Sequence, residues 1–238
     1  MTRAQRPPLE VEAKLLATRE RHLRAIACLD SIGPYRLRGR DAVRLHSAYV
    51  DTEDLALVRR GIALRLRRHG SQWELTAKWG GRVAGLVHAR PELTVTLPRA
   101  PRYPFHLQAP LHPVIDRLVT DRGLSPILIT RIHRRRIDVL PAGAKARSQP
   151  LAELALDRVR LYRPTQRTAA DTYFEVEIER LHGTRRDVIR LAELLRRRFA
   201  LSPSKDSKFA RGLAVLYGAN VIARVAASAM IRARKPTY

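Results

Sequence analysis

The chain has 238 residues, which fits one large domain or two small ones. Hydrophobic residues make up 45% of it, enough for a sizeable core, and this excludes wholesale disorder. Lysine and arginine number 46 against 22 acidic residues, a formal charge of +24, so polyphosphate, nucleotides, nucleic acid or an anionic membrane surface are the expected partners.

The single cysteine, Cys28, excludes a disulfide within the chain and fits a reducing compartment, so we expect a cytoplasmic protein. Residues 1–8 contain no apolar signal core. The longest apolar stretch, 219–231, is interrupted by Arg224 and is too short to span a bilayer. The sequence has no zinc-site spacing, no Gly-rich phosphate loop and no readable nucleophilic triad.

Alternating apolar and polar residues predict strands, and apolar residues spaced by three or four predict helices. In chain order, the predicted elements are a strand over 9–15, a helix over 18–32, a strand over 43–51, a short helical link over 54–60, strands over 62–68 and 73–79 joined by a turn at 70–71, a strand over 87–97, a helix over 114–122, strands over 127–140, 151–162 and 172–181, and helices over 184–199 and 206–217. Strands outnumber helices and mostly follow one another, so we expect a mainly β (α+β) fold, a closed antiparallel barrel with helices outside. We expect this domain to span 1–218 and a basic, alanine-rich tail to span 219–238.

The polar faces of these strands are heavily charged. If they face solvent, the barrel interior is apolar and the charges form a salt-bridged surface. If they face inward, the lumen is charged and the apolar faces pack outward against helices. Buried like charges are costly without counter-charges, so a charged lumen needs an oligophosphate for its lysines and arginines and divalent cations for its glutamates. A metal–triphosphate complex meets both needs.

Several segments fall in one order along the chain: Glu10-x-Glu12-x-Lys14, Tyr49-Val50-Asp51-Thr52, Gly61-x-x-Leu64-Arg65-x-Arg67, Leu75-Thr76-x-Lys78, Glu175-x-Glu177-x-Glu179 and Ser207-Lys208-x-x-Arg211-Gly212. Together they resemble the CYTH superfamily, the triphosphate tunnel metalloenzymes. Gly81-Arg82-Val83 with the stretch from His88 to Glu92 resembles the bacterial inorganic triphosphatase branch in particular. Thr94 departs from the family, which often has an acidic residue there. Related proteins of this branch often continue into a second helical domain, the CHAD domain, which we do not expect here.

The resemblance implies a closed eight-stranded antiparallel tunnel with helices outside. It implies that Glu10 and Glu12, with Glu175 and Glu177, hold Mg²⁺ or Mn²⁺, and that Glu10 and Glu12 are the catalytic carboxylates. The cations that it implies bind phosphate oxygens are Lys14, Arg65, Arg67, Lys78, Arg90, Arg134, Lys208 and Arg211. Arg134 shares a strand face with Arg136, opposite Arg131 and Arg135, and the sequence leaves open which face is inward. Further candidates are Glu92, Glu153 and Asp157 as orienting or metal-binding acids, Glu179 as a weaker metal ligand, and His88 as a substrate contact.

The implied reaction is metal-dependent hydrolysis of tripolyphosphate to pyrophosphate and phosphate. Three other reactions stay open in the same tunnel: adenylate cyclase, thiamine triphosphatase and nucleoside triphosphatase activity. A non-catalytic protein that binds polyphosphate or nucleic acid is a further alternative, which the charge of +24 favours and the paired glutamates oppose. The basic tail fits either an anion-binding arm or a disordered end.

Overall fold

The computed structural model describes residues 9–69, 71–107, 111–145 and 147–218. The strands in this part of the chain are β1 (Leu9–Ala17), β2 (Ser31–Ile32), β3 (Tyr35–Asp51), β4 (Ile62–His69), β5 (Gln72–Trp79), β6 (Arg82–Ala84), β7 (Val87–Leu97), β8 (Ser125–Pro141), β9 (Ala152–Tyr162), β10 (Asp171–Arg180) and β11 (Ser202–Pro203). The helices are α1 (Glu20–Ala27), α2 (Pro113–Val119), α3 (Arg185–Phe199) and α4 (Lys208–Tyr217), with a 3-10 turn at Val58–Arg60.

Eight strands of the described chain close into an antiparallel barrel. Their order is β1, β10, β9, β8, β3, β4, β5 and β7, and pairing of β7 with β1 closes the ring. The short strands β2, β6 and β11 pair with β3, β7 and β1 at its margins. The predicted closed eight-stranded antiparallel barrel with helices packed outside is therefore confirmed.

The first apolar cluster lies outside the barrel, under α1 and α3. Ile26 of α1 and Leu195 of α3 pack there with Leu15 of β1 and Ile178 of β10. Because side chains alternate along a strand, the residues beside Leu15 and Ile178 point into the lumen. The apolar face of this half of the barrel is therefore turned outward and buried by helices.

The second apolar cluster covers the opposite part of the outer surface. Ile115 and Val119 of α2 pack with Leu64 of β4 and Leu75 of β5. Strands β4 and β5 therefore also turn an apolar face outward, toward α2, and a polar face inward.

The third apolar cluster fills one end of the lumen. Leu213 and Leu216 of α4 pack with Leu128 of β8 and with Val159 and Leu161 of β9. These two β9 residues share the inward face of their strand, since they lie two and four positions beyond Asp157. Helix α4 therefore packs into the apolar end of the barrel, and the charged positions occupy the remaining length.

Two predicted boundaries were wrong near the start of the chain. The helix predicted over 18–32 ends at Ala27, because Ile32 pairs with Tyr35 in a tight hairpin around Gly33, whose φ is +55°. The strand predicted over 43–51 begins already at Tyr35. Its first half pairs with β8 through a register shift between Gly39 and Ala42, and this irregularity hides the alternation in the sequence.

The helical link predicted over 54–60 is reduced to the 3-10 turn at Val58–Arg60, and the other predicted elements are present with small shifts at their ends. The predicted hairpin is formed by β4 and β5, which pair from Ile62 with Trp79 onward. The predicted tail over 219–238, Gly70 of the predicted turn and residues 108–110 lie outside the described residues. Among the helices that the structure describes, none has the length and apolar character needed to cross a bilayer.

Helix α4 packs closely against β8 at Gly212. A Cβ atom added there would lie 2.4 Å from the nearest Leu128 side-chain carbon. Gly212→Ala should improve helix propensity by about 1 kcal/mol. We nevertheless expect it to lower the free energy of unfolding by about 1–2 kcal/mol, because the added methyl group overpacks the barrel end. Urea denaturation checks this, and a gain in stability would contradict the close packing.

Candidate active site

Inward-facing side chains enclose a polar cavity of about 230 Å³ in the barrel. The polar strand faces thus point into the lumen, which decides between the two interpretations of the sequence. The structure brings most of the predicted site residues together around this cavity: Glu10, Glu12, Lys14, Arg65, Arg67, Lys78, Arg90, Glu92, Arg134, Glu153, Glu177, Glu179 and Lys208.

Five carboxylates on three neighbouring strands form one side of the cavity, which we call the acidic wall. They are Glu10 and Glu12 of β1, Glu177 and Glu179 of β10 and Glu153 of β9. Glu179 lies directly opposite Glu12 on one side and Glu153 on the other, an arrangement of like charges that is unfavourable in a sheet. Burial and the charge of Glu10 raise the pKa of Glu179 to about 7. Among the described residues, Glu179 forms no ion pair.

A buried ionic network supports the acidic wall from α4 and β8. Lys208 Nζ lies 3.0 Å from the Asp157 carboxylate and 2.7 Å from that of Glu177, and it also contacts Glu175. Arg134 donates from Nε and Nη2 to the two oxygens of Asp157 at 2.8 and 2.7 Å. Burial alone would raise the pKa of Glu177, but the surrounding cations, Lys208 foremost, lower it well below its usual range. The network therefore keeps buried charges paired.

Asp157, Glu175 and Glu177 present carboxylate oxygens within 4.8 Å of one another, so this buried cluster could hold a metal ion. The ammonium of Lys208 already lies among these oxygens and supplies positive charge. Glu179 instead lines the cavity without a cation, and carboxylate oxygens are the ligands that Mg²⁺ and Mn²⁺ prefer. Glu179 is therefore a further candidate metal ligand beside Glu175 and Glu177, and the choice among these carboxylates stays a prediction.

Three guanidinium groups form a second part of the cavity lining, which we call the basic wall: Arg65 and Arg67 of β4 and Arg90 of β7. Strand β7 borders the acidic wall, because Arg90 lies directly opposite Glu10 of β1 in the sheet. No described acidic residue forms an ion pair with any of these three arginines. Arg65 donates to the Thr76 hydroxyl at 3.4 Å, while its Nε is buried and has no hydrogen-bond partner. Arg67 donates to Ser47 Oγ at 3.0 Å, and burial together with the charge of Arg65 lowers the pKa of Arg67 to about 10. The basic wall therefore has unsatisfied donors and uncompensated positive charge.

Two lysines balance the outer part of the acidic wall. Lys14 Nζ lies 2.8 Å from the carboxylate of Glu12. Lys78 Nζ lies 2.5 Å from Glu10 and 2.9 Å from Glu92. These lysines are therefore already partnered within the protein, unlike the three arginines of the basic wall.

Arg211 was predicted to bind phosphate, but the structure places it away from the cavity lining. Its Nη2 lies 3.0 Å from the Asp171 carboxylate, and its guanidinium stacks 4.0 Å from the centre of the Tyr173 ring. The sequence indicated only that Arg211 lies one turn after Lys208. The seating of α4 in the barrel directs Lys208 to the ionic network and Arg211 to β10.

His88 was predicted to contact substrate, and the structure places it behind the cavity lining. Its Nε2 lies 2.9 Å from the carbonyl oxygen of Ser204, which only accepts, so Nε2 carries a proton. Burial lowers the pKa of His88, which favours the neutral ring. The unprotonated Nδ1 then accepts from Arg90 Nη2 at 3.4 Å, so His88 orients an arginine of the basic wall.

The cavity lining also contains residues that were not predicted as site residues: Tyr49, Ala63, Thr76, Ala155, Ser207 and Phe209. Tyr49 and Thr76 belong to segments quoted above, and their strand faces point inward, so alternation could have identified them. Phe209 stacks at 4.9 Å on the Tyr49 ring and comes from α4, which no strand pattern relates to the lumen.

The lumen of this closed antiparallel barrel holds guanidiniums without acidic partners among the described residues and a cluster of carboxylates. These features define a protein with an internal site suited to an anion and a cation. The chain belongs to the CYTH domain family, whose model matches residues 8–213.

Two solved structures illustrate the likeness in fold. A Hippeastrum protein, an adenylyl cyclase candidate described as having a dominant triphosphatase activity, is 16% identical with a TM-score of 0.51, over 85% of this chain and 94% of that one. A candidate adenylate cyclase from Bacillus halodurans is 20% identical with a TM-score of 0.54, over 87% of this chain and 98% of that one. At these identities the likeness shows the fold alone, and the inorganic triphosphatase branch stays a prediction.

Glu179→Gln should stabilise the metal-free protein at high pH. A carboxyl whose pKa is raised on folding destabilises the fold increasingly as pH rises from the ordinary glutamate value through about 7. With chelator present, we expect the free energy of unfolding of the variant to exceed that of the parent by about 1 kcal/mol at pH 8. Near pH 5 the two values should be equal. Denaturant titration at both pH values checks this, with the exposed Glu53→Gln as control. A less stable variant at pH 8 would contradict the like-charge repulsion.

Lys208→Met should destabilise the protein strongly at pH 8, because it leaves buried carboxylates without their ammonium. We expect a loss of about 3 kcal/mol or more in the free energy of unfolding. The loss should shrink at lower pH, where Glu175, whose pKa burial raises to about 7, is protonated. If the variant were as stable as the parent at pH 8, the ionic network would not stabilise this end of the cavity.

Proposed function

We propose that the chain hydrolyses inorganic triphosphate to pyrophosphate and phosphate inside its barrel, with Mg²⁺ or Mn²⁺ as cofactor. The basic wall carries this proposal: Arg65, Arg67 and Arg90 converge on the cavity without acidic partners. Buried like charges raise the free energy of the folded protein unless a counter-charge enters. An oligophosphate supplies that counter-charge, and the acidic wall supplies metal ligands.

The proposed phosphate contacts come mainly from the basic wall. Arg65 and Arg67 lie two residues apart on β4, about 7 Å along the strand, so they can bind different phosphoryl groups of one chain. Each guanidinium offers a planar pair of donors that matches two phosphate oxygens. Arg90, held by His88, donates from β7. Lys78 lies on β5 between these strands and is the lysine nearest to them in the sheet order.

The proposed metal ligands are Glu10 and Glu12 with Glu177 and Glu179. All four line the cavity, and together they offer only carboxylate oxygens. A bound Mg²⁺ or Mn²⁺ neutralises charge on phosphate oxygens and acidifies a coordinated water. Glu175 is nearly fully buried against Lys208 and helps to hold Glu177 in place.

The proposed chemistry needs no covalent nucleophile, because phosphoryl transfer depends on positioning and charge stabilisation. Glu10 or Glu12 accepts a proton from the attacking water, as a general base at the cavity surface. The guanidiniums of the basic wall stabilise the negative charge that develops on the leaving pyrophosphate.

The cavity favours inorganic triphosphate over a nucleotide. Its volume of about 230 Å³ is below the roughly 300–1,000 Å³ that is usual for pockets that bind organic ligands. Its lining is mainly charged, with Tyr49 and Phe209 as the aromatic side chains, and these two rings stack on each other. A nucleobase would therefore find little apolar surface in the cavity.

Phosphate release from tripolyphosphate, measured with Mg²⁺, with Mn²⁺ and with chelator, tests the proposal. We expect metal-dependent release, reduced at least about 100-fold in a folded Glu10→Gln/Glu12→Gln variant. Turnover of ATP or thiamine triphosphate without turnover of tripolyphosphate would overturn the substrate and keep the site. No turnover of any triphosphate, with salt-sensitive binding of polyanions, would make the chain a binding protein.

Arg65→Gln/Arg67→Gln separates binding of substrate from support of the fold. We expect kcat/KM for tripolyphosphate to fall on the order of 100-fold or more, because charge stabilisation of the transition state is lost. The metal-free variant should be no less stable than the parent, since two half-buried charges without acidic partners among the described residues are removed. Arg24→Gln/Arg197→Gln, at positions with 76% and 79% exposed side chains, is the charge-matched control. Equal losses of activity in both variants would count against the basic wall.

A further inference from the structure

Six side chains form a cationic grid on the outside of the barrel, which we call the outer basic face. They are Arg44 and His46 of β3, Arg131 and His133 of β8, and Arg158 and Arg160 of β9. The strand register aligns them in two rows across the sheet. One row runs Arg44, His133, Arg158, and the other runs His46, Arg131, Arg160.

This face lies between the parts of the outer surface that helices bury. Along β8 and β9, the outward positions change from Ile137 and Leu154, which belong to the cluster under α1 and α3, to the cations of the grid. On β3, the outward positions beyond His46 belong to the cluster under α2. Within the described residues, the grid borders a groove of about 400 Å³.

In the part of the chain that the structure describes, Glu20 of α1 is the single acidic residue at this groove, and its contact with Arg158 is long, at 3.8 Å. Among the described residues, Arg44, Arg131 and Arg160 form no ion pair. Like charges directly opposite one another on neighbouring strands are destabilising, and here Arg131 faces Arg160. Apart from the packing of Arg131 on the Tyr162 ring and the long contact of Arg158 with Glu20, the described residues show no contact that would compensate this repulsion.

We propose that the outer basic face binds a linear inorganic polyphosphate chain, as a second anion site separate from the lumen. Neighbouring strands lie about 4.8 Å apart, and every second residue along a strand is about 7 Å from the last, so the four arginines give a phosphate chain several charged partners at these spacings. Arginine guanidiniums suit such contacts because each binds phosphate oxygens in pairs. This inference does not depend on the reaction in the lumen.

The face favours a phosphate polymer without bases over a nucleic acid. Sites for single-stranded nucleic acid stack bases on exposed aromatic rings. The aromatic ring at this groove, Tyr162, is buried, and the Arg131 guanidinium covers it at 4.6 Å. The face therefore offers cations for phosphate groups and no exposed aromatic ring on which a base could stack.

Binding of long-chain inorganic polyphosphate to Arg44→Gln/Arg160→Gln tests this proposal. Both side chains are exposed, and removing them relieves repulsion, so the variant should fold. Arg185→Gln/Arg186→Gln, at exposed positions on α3, has the same net charge and is the matched control. We expect about a tenfold or greater loss of polyphosphate affinity in the first variant, a loss of no more than about threefold in the control, and a salt dependence weakened only in the first. Tripolyphosphate turnover should stay within about twofold of the parent in both.

Two results would overturn the proposal. Equal losses of polyphosphate affinity in the two variants would mean that binding depends only on the total charge of the protein. Tighter binding of single-stranded RNA than of polyphosphate, lost selectively in Arg44→Gln/Arg160→Gln, would assign the face to nucleic acid instead. Because turnover of tripolyphosphate is measured beside binding, failure of this inference is distinguishable from failure of the proposed reaction.

Discussion

The neutralisation of charges inside a closed barrel is the constraint on which the rest of this structure depends. Helices α1, α2 and α3 pack against outward apolar faces, so the charged faces of the same strands must point into the lumen. Ionised groups that leave water cost several kcal/mol each unless they are paired. The charges in the lumen must therefore either neutralise one another or be neutralised by bound ions.

Charges are neutralised by ion pairs on one side of the lumen and are left without such partners on the other. Lys208 and Arg134 neutralise the buried carboxylates beneath the acidic wall, and they hold those carboxylates in fixed positions. Arg65 and Arg67 have no such partners, and Glu179 has none on the opposite wall. Donors and acceptors that are held in place before a ligand arrives need little reorganisation, which is the condition for electrostatic catalysis. The outer basic face has a similar excess of positive charge, and the proposed second anion site rests on it.

Sequence alternation assigned side chains to strand faces correctly where strands are regular and missed part of a strand where the pattern is interrupted. Glu10, Glu12 and Lys14 share a face that any half-buried strand would show, and the structure turns that face inward. The first half of β3 was missed because a register shift near Gly39 interrupts its period of two. The long-range contacts of Arg211 and His88 were invisible in the sequence, since their partners Asp171 and Ser204 are distant along the chain.

The sequence by itself determined which residues share a strand face and that the charged residues needed anionic and cationic partners. These follow from local geometry, because period two along a strand and the cost of buried charge do not depend on distant residues. Only the tertiary structure decided which charges are already paired. The register of β10 against β1 sets Glu179 opposite Glu12, and the seating of α4 brings Lys208 to Glu175 and directs Arg211 away. Pairing depends on distances of a few ångströms between segments far apart in the chain, which no local pattern specifies.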